Sequence, residues 1–385
     1  MRALLTTTPD CGHLYPLVPL AWALRCAGHQ VLVTGPEPIA PAVQQAGLEH
    51  ASTAQDPPSP PDPDSPREQL AHHRAALAEL AAATTVDLVG QWRPDIVISE
   101  HNEQAGPLAA ALAGIPSATH QRGLHTADEP VTGEAVGRLH ALHERFGLLP
   151  EETTSTTTIN LCPPSLRETT DDGNALGLRH IPYGGGGTPS PWLWSPHTHP
   201  RVCVSVGSTP NSDRDDCLRA LAEELSDFDG EVVITGIEQD DAESPPLPEH
   251  VRTAAWLPHD QVFPTCDVVI HHGGSGVAMN ALRFGLPQLV LPRTEDQLRN
   301  ATRLVECGVA RSVDVAERAE GLLRQEVEWL LTERAHRGHA CQVRAEIESM
   351  PAPGQVATAL EDLAASGRTR ARGPEVAGCT LAPAQ

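Results

Sequence analysis

The chain has 385 residues and a formal net charge of −23, and every basic side chain other than histidine is arginine. Without lysine there can be no pyridoxal or Schiff-base chemistry and no Walker A phosphate loop, all of which need that amine. The acidic balance and an aromatic content of 3% exclude a nucleic-acid partner, whose phosphates require clustered cations and whose bases require stacking rings.

In chain order, residues 2–6 form a short apolar run that reads as a strand. Leu17, Leu20, Ala21, Leu24 and Ala27 then recur at helical spacing, Gly28 stops the helix, and His29 leads into a strand at 30–34. The proline-rich acidic stretch 52–66, STAQDPPSPPDPDSP, reads as a loop excursion. Strands follow at 95–99 and 117–120. Residues 182–200, PYGGGGTPSPWLWSPHTHP, read as a linker. Beyond it come strands at 201–206, 231–235, 268–271 and 288–291, with helices between them. Val356, Leu360 and Leu363 mark one amphipathic C-terminal helix, and a frayed tail is expected from Gly367.

Two series of alternating strands and helices predict an α/β chain of two Rossmann-like, doubly wound domains facing across a cleft. The expected boundaries are 1–185 for the first domain, 186–200 for the linker and 201–352 for the second. A helix at 353–366 should pack back toward the first domain, and 367–385 should form a flexible tail. No run of about 18 apolar residues spans a membrane, and the apolar N-terminal run is too short for a signal peptide. The nine dispersed cysteines, with no C-x-x-C, fit reduced thiols in the cytoplasm.

The richest segment is 267–301, DVVIHHGGSGVAMNALRFGLPQLVLPRTEDQLRNA. A buried strand ends in two histidines, a glycine-rich turn follows, and a helix begins near Val277. Backbone amides at such a helix start form an anion site. His272 can add a hydrogen bond to a phosphate oxygen, beside Gly273, Gly274, Ser275, Gly276 and Val277. Glu295, Asp296 and Gln297 then gather at the end of the next strand, where carboxylates and an amide suit sugar hydroxyls. Phosphate donors beside hydroxyl acceptors describe a nucleotide-sugar site. The acidic pairs Asp171-Asp172 and Asp240-Asp241 read as solvated charge, and no metal is called for.

This segment resembles the donor-binding signature of GT-B glycosyltransferases, specifically the inverting family 1 enzymes, and most of all the actinomycete enzymes that attach deoxysugars to polyketides and other antibiotics. Gly12-His13-Leu14-Tyr15-Pro16 with Leu17–His29 resembles that family's N-terminal pattern. So do Cys162-Pro163-Pro164-Ser165-Leu166 and Ile181-Pro182-Tyr183 before the linker, Val204-Ser205-Val206-Gly207-Ser208 after it, and Trp256-Leu257-Pro258.

The resemblance implies an inverting, metal-independent sugar transfer from a nucleoside diphosphate donor, expected to be dTDP-linked, to a natural-product aglycone, with no other cofactor. His13 would be the general base, a role that suits an imidazole at neutral pH. Glu100 would orient it, with Glu103 as the alternative. His272, the 273–277 turn, Gly207 and Ser208 would hold the diphosphate. Relatives commonly carry a hydroxyl where Val277 stands, so the amides and Ser208 would take that load. Trp256 and Leu257 would contact the base, and Glu295, Asp296 and Gln297 the sugar, with Arg293 as a supporting cation. His120, Gln121 and Arg122, with 52–82 and 125–146, would line the acceptor pocket. The same motifs are compatible with a catalytically silent binding partner, a lipid glycosyltransferase or a nucleotide-sugar epimerase. A homodimer or an auxiliary activator protein also stays open.

Overall fold

Apolar runs punctuated by glycine and proline become the strands of two parallel sheets. The computed structural model describes residues 1–59, 61, 67–124, 134–167, 175–188, 191–195, 198–205, 214–236, 248–314 and 321–371.

The first sheet comprises β1 (Arg2–Thr6), β2 (Gln30–Gly35), β3 (Glu49–Ser52), β4 (Ile96–Glu100), β5 (Ser117–His120), β6 (Thr157–Asn160) and β7 (Ala175–Gly177). They run in the order β3-β2-β1-β4-β5-β6-β7 with every pairing parallel. The second comprises β8 (Arg201–Ser205), β9 (Glu231–Thr235), β10 (Val251–Ala254), β11 (Val268–His271), β12 (Gln288–Val290) and β13 (Ala310–Ser312). Its order is β10-β9-β8-β11-β12-β13, again all parallel.

Strand order reverses between β1 and β4 in one sheet and between β8 and β11 in the other. The crevice outside the carboxyl ends of such a pair is where open α/β sheets receive ligands. The segment after β1 carries His13, and β4 ends in Glu100. The segment after β11 carries the two-histidine turn. Gly207 and Ser208, in the segment after β8, lie outside the described residues.

Central strands are buried on both faces, which is why they read as unbroken apolar runs. The helix Val18–Cys26 follows the periodicity expected of it, and Gly28 closes its end at φ +84°, a conformation that glycine adopts without strain. The helix Pro353–Ala371 returns to the first sheet. Val356, Ala357, Leu360 and Ala364 are buried there with Leu14, Leu17, Val18 and Ala21. Burying a leucine fully is worth about 1.5–3 kcal/mol, so the last helix belongs energetically to the first core. It does not stop at 366. It continues through Ala371, and a side chain at Gly367 would come within 2.7 Å of Pro116 Cδ, so glycine permits the close approach. Among the described residues no helix is long and apolar enough to cross a membrane.

Candidate active site

The carboxyl ends of β1 and β4 build a polar floor. Thr6 and Ser99 are register partners, and their hydroxyls meet at 2.9 Å. His13 stands above them on the short helix Cys11–Leu14. Its Nδ1 lies 3.1 Å from Glu100 Oε1 and 2.6 Å from Thr8 Oγ1. Its Nε2 lies 2.5 Å from a guanidinium nitrogen of Arg122. Arginine can only donate, so Nε2 accepts and the proton sits on Nδ1, shared toward Glu100. That is the neutral tautomer a general base requires, with the basic lone pair on Nε2.

Glu100 is 1% exposed. Burial would raise its carboxyl, but the facing His13, the hydrogen bond from it and the charge of Arg122 hold it well below the usual carboxylate range. It is therefore an anion, and its Oε2 also accepts the amide of Asn102 at 3.0 Å. Glu103 does something else. It accepts the amides of Ala105 at 2.7 Å and Gly106 at 2.9 Å and the hydroxyl of Thr6, closing the start of the helix Ala105–Ala113. Burial pushes its carboxyl up.

A cavity of about 280 Å³ opens beside the base, lined by His101, Glu103, Gln104, Pro107, Thr119, Gln121, Arg122 and four hydroxyl residues between Thr153 and Thr158. Gln121 and Arg122 stand on its wall, and His120 does not. Successive side chains of a strand face opposite ways, so Thr119 faces the cavity and His120 is buried on the other side, pushed down by that burial to about 4. The described parts of 52–82 and 125–146 are absent from the lining, and 125–133 lie outside the described residues. The 153–158 wall was missed because its hydroxyl residues lie in a short helical turn, a loop and the start of β6, none of which carries an apolar pattern.

Across the cleft, the turn after β11 is held rigidly. The amide of Gly273 donates to His271 Nδ1 at 3.0 Å, so His271 Nε2 carries the proton and donates to Gln288 Oε1 at 2.7 Å. Asn300 Nδ2 donates to the Gly273 carbonyl at 2.9 Å. Gly273 sits at φ +96°, and a side chain there would come within 2.9 Å of the Gln297 carbonyl. Gly274 leaves the space that the His272 imidazole occupies. The helix Ser275–Arg283 begins two residues earlier than expected. Its first intrahelical bond is Ala278 N to Gly274 O at 3.1 Å, so the amides of Ser275, Gly276 and Val277 are free of the helix ladder. Gly276 faces open space. The Val277 side chain turns the other way into an apolar cluster with Leu257, Val262, Phe263 and Ala281, so only its amide is available to an anion.

Glu295, Asp296 and Gln297 do not form an open cluster. They are the first turn of the helix Glu295–Glu306. Gln297 Oε1 accepts the amide of Arg293 at 2.9 Å, Asp296 accepts the Thr294 hydroxyl, and Glu295 pairs with Arg299 at 2.7 Å. The Gln297 carbonyl nonetheless lies against Gly273, so this turn and the glycine turn adjoin.

Trp256 is half exposed and donates from Nε1 to the Gly184 carbonyl at 2.8 Å, tying itself to the linker. Tyr15, Tyr183 and Trp22 continue this edge-to-face ring chain. Leu257 is buried. A polar strut not foreseen from the sequence runs nearby. His180 Nε2 donates to Asn280 Oδ1 at 2.7 Å, Asn280 Nδ2 donates to His259 Nδ1 at 3.0 Å, and His259 Nε2 donates to Ser205 Oγ at 3.1 Å. It joins the segment before the linker to the end of β8. No motif announces it, because its four members come from four separate segments of the chain.

Comparison with known proteins agrees with this architecture. Residues 69–207 match the family description "Erythromycin biosynthesis protein CIII-like, N-terminal domain", and residues 219–363 match its C-terminal counterpart. An L-demethylnoviosyl transferase from Streptomyces niveus is 38% identical, over 96% of this chain and 99% of that protein. A 10-deoxymethynolide desosaminyltransferase from Streptomyces venezuelae is 30% identical, over 96% and 98%. The crystal structure of the glycosyltransferase VinC in complex with dTDP superposes with a TM-score of 0.80 at 28% identity, covering 95% of this chain and all of the other. Two parallel sheets with their switch points facing, matched over nearly full length, place this chain in the erythromycin biosynthesis CIII-like family of GT-B antibiotic glycosyltransferases.

Proposed function

We propose that this chain moves a (deoxy)sugar from a dTDP-linked donor to a hydroxyl of a natural-product aglycone such as a polyketide, in the cytoplasm and with inversion at the anomeric carbon. Residues 1–185 would hold the acceptor and 201–352 the donor. The observation that carries the reading is the His13–Glu100 pair, which fixes the imidazole proton on Nδ1 and leaves Nε2 basic. The dTDP bound to VinC supports the choice of nucleotide.

Nε2 of His13 takes the acceptor's hydroxyl proton as the acceptor oxygen bonds to the anomeric carbon. The bond from that carbon to the phosphate oxygen breaks on the opposite face, and its electron pair leaves with dTDP. The amides of Ser275, Gly276 and Val277, the helix dipole and His272 receive the diphosphate charge, a role that needs no metal. Ser208 and Gly207 would add to that set. Trp256 and Leu257 would flank the nucleoside. Asp296 and Gln297 would meet the sugar once the present helix-start hydrogen bonds give way, with Glu295 beside them.

The test is calorimetry with dTDP and UDP, followed by mass-detected glycoside formation over a panel of hydroxylated aglycones. The wild type should prefer dTDP. His13→Ala should keep that affinity and lose about 100-fold or more in turnover, the usual contribution of a general base. Unchanged turnover in His13→Ala would sink the base assignment, and tighter binding of UDP would sink the donor assignment.

A further inference from the structure

The guanidinium of Arg122 rests on the atom that the base needs free. One of its nitrogens donates to His13 Nε2 at 2.5 Å, while its own Nε is buried without an acceptor. Its only bonded side-chain partner among the described residues is thus a neutral imidazole. Half-buried, the guanidinium is hydrogen-bonded to no anion and feels the Glu100 carboxylate only through space, so an anionic acceptor would be a better partner.

The backbone beneath it is fastened to the opposite side of the cleft. Leu124 is buried with Ala278, Met279 and Leu282, and its amide donates to Ser275 Oγ at 2.9 Å. Ser275 Oγ in turn points to the Arg122 carbonyl at 3.4 Å. Gly123 sits at φ +134°, and a side chain there would come within 2.6 Å of Met279 Cγ and 2.8 Å of Ser275 Oγ. Glycine alone lets the loop lie this close. Arg122 therefore has its main chain on the first residue of the helix Ser275–Arg283 and its charge on His13.

We propose that Arg122 is a shared cation, exchanging its hydrogen bond to His13 Nε2 for one to the diphosphate when the donor binds. The inference rests on the reading that the 272–277 turn takes a nucleoside diphosphate. The exchange runs downhill, because phosphate oxygens are anionic and can take two parallel N–H bonds from the guanidinium fork, whereas the imidazole is neutral and takes one. It also supplies a side-chain cation in a chain that has no lysine to offer. The same movement uncovers Nε2, so the base becomes competent only with donor in place. Arg122 is then a catalytic residue for the leaving group and a gate on the base.

The experiment is calorimetry with dTDP, inorganic pyrophosphate and thymidine on wild type, Arg122→Gln and Arg122→Met, with steady-state kinetics on the same proteins. Arg122→Gln should weaken dTDP and pyrophosphate roughly tenfold or more and leave thymidine unchanged, since only the phosphates lose a charged partner. Donor KM should rise and kcat fall together. Arg122→Met keeps the apolar stem and reads the same quantity if the amide variant folds poorly. Wild-type affinity for dTDP with variants within about twofold of it would overturn the proposal, as would a loss confined to acceptor KM. Failure of the wild type to bind dTDP would overturn the donor reading and this inference with it.

Discussion

Two glutamates three positions apart at the end of β4 have opposite work, and sequence order alone could not assign it. Both follow the same apolar run, and either could meet His13 on paper. The backbone decides. Glu100 is the last residue of the strand and points at His13, whereas Glu103 faces the amides of the next helix. Glu100→Gln tests the assignment. A carboxamide can accept from His13 Nδ1 only by turning its NH2 toward the Asn102 amide, a donor facing a donor. The variant should lose at least about tenfold in kcat, within the range general-base catalysis supplies, with dTDP affinity unchanged. Its stability should differ from wild type in a pH-dependent way. The folded carboxyl is held below its unfolded value, so ionised Glu100 stabilises above the ordinary carboxylate range and that contribution disappears as pH falls through its folded value. The gap in urea midpoint between the two proteins should therefore be widest near neutral pH and close in acid. A gap independent of pH would place the effect in packing instead. His13 was singled out because Gly12-His13-Leu14-Tyr15-Pro16 resembles the family's N-terminal pattern, since a lone histidine in a loop after a strand carries no such meaning by itself. The helix-start hydrogen bonds of Asp296 and Gln297 were not foreseen, because a polar triplet after a strand reads equally as a ligand cluster and as the start of a capped helix.

At the scale of elements, what was legible follows burial. The central strands β1, β2, β4 and β5 of the first sheet and β8, β9, β11 and β12 of the second are all readable as apolar runs. The strands that escaped notice include β3, β7, β10 and β13, which are the four edges of the two sheets, and β6, which borders an edge. Sequences such as EHAS, TTIN, VRTA and ARS carry no pattern of their own. They become strands because a neighbour's backbone offers hydrogen bonds, a tertiary effect that local pattern does not encode. The turn after β11 is the reverse case: its spacing was readable, but not what stiffens it. Asn300, from the helix Glu295–Glu306, is 7% exposed and bonds the Gly273 carbonyl. Asn300→Ala should leave that buried acceptor unpaired, at a cost of about 1–3 kcal/mol. Because the carbonyl belongs to the proposed diphosphate turn, the loss should appear in dTDP affinity as well as in thermal stability. A variant that lost stability but kept full dTDP affinity would mean the turn does not depend on this bond.

For the whole molecule, the sequence showed two halves and a linker but not how the halves are locked. The last helix buries its apolar face in the first core, Leu124 buries itself in the second, and the His180–Asn280–His259–Ser205 strut crosses between them. That lock has a consequence for pH. Burial pushes His120, His180 and His259 down to about 4 and His271 down to about 3. Unfolded histidine titrates near ~6.5. Between roughly pH 6.5 and 4 the unfolded chain therefore binds protons that the folded chain refuses, so stability is complete above that window and falls with pH inside it. Each such histidine contributes up to about 1.4 kcal/mol per pH unit. Acidification also relieves self-repulsion in a chain of net charge −23, which works in the opposite direction. Most of that charge is at the surface, however, where physiological salt screens interactions beyond about 8 Å, whereas the histidines are shielded from solvent. The histidine effect should win. Urea midpoints measured at pH 7, 6 and 5 in physiological salt should drop steadily, and the drop should persist when salt is raised. A midpoint that stays level or rises toward pH 5 would show that these imidazoles are not buried neutral in the folded protein, and that the strut between the two halves is built differently.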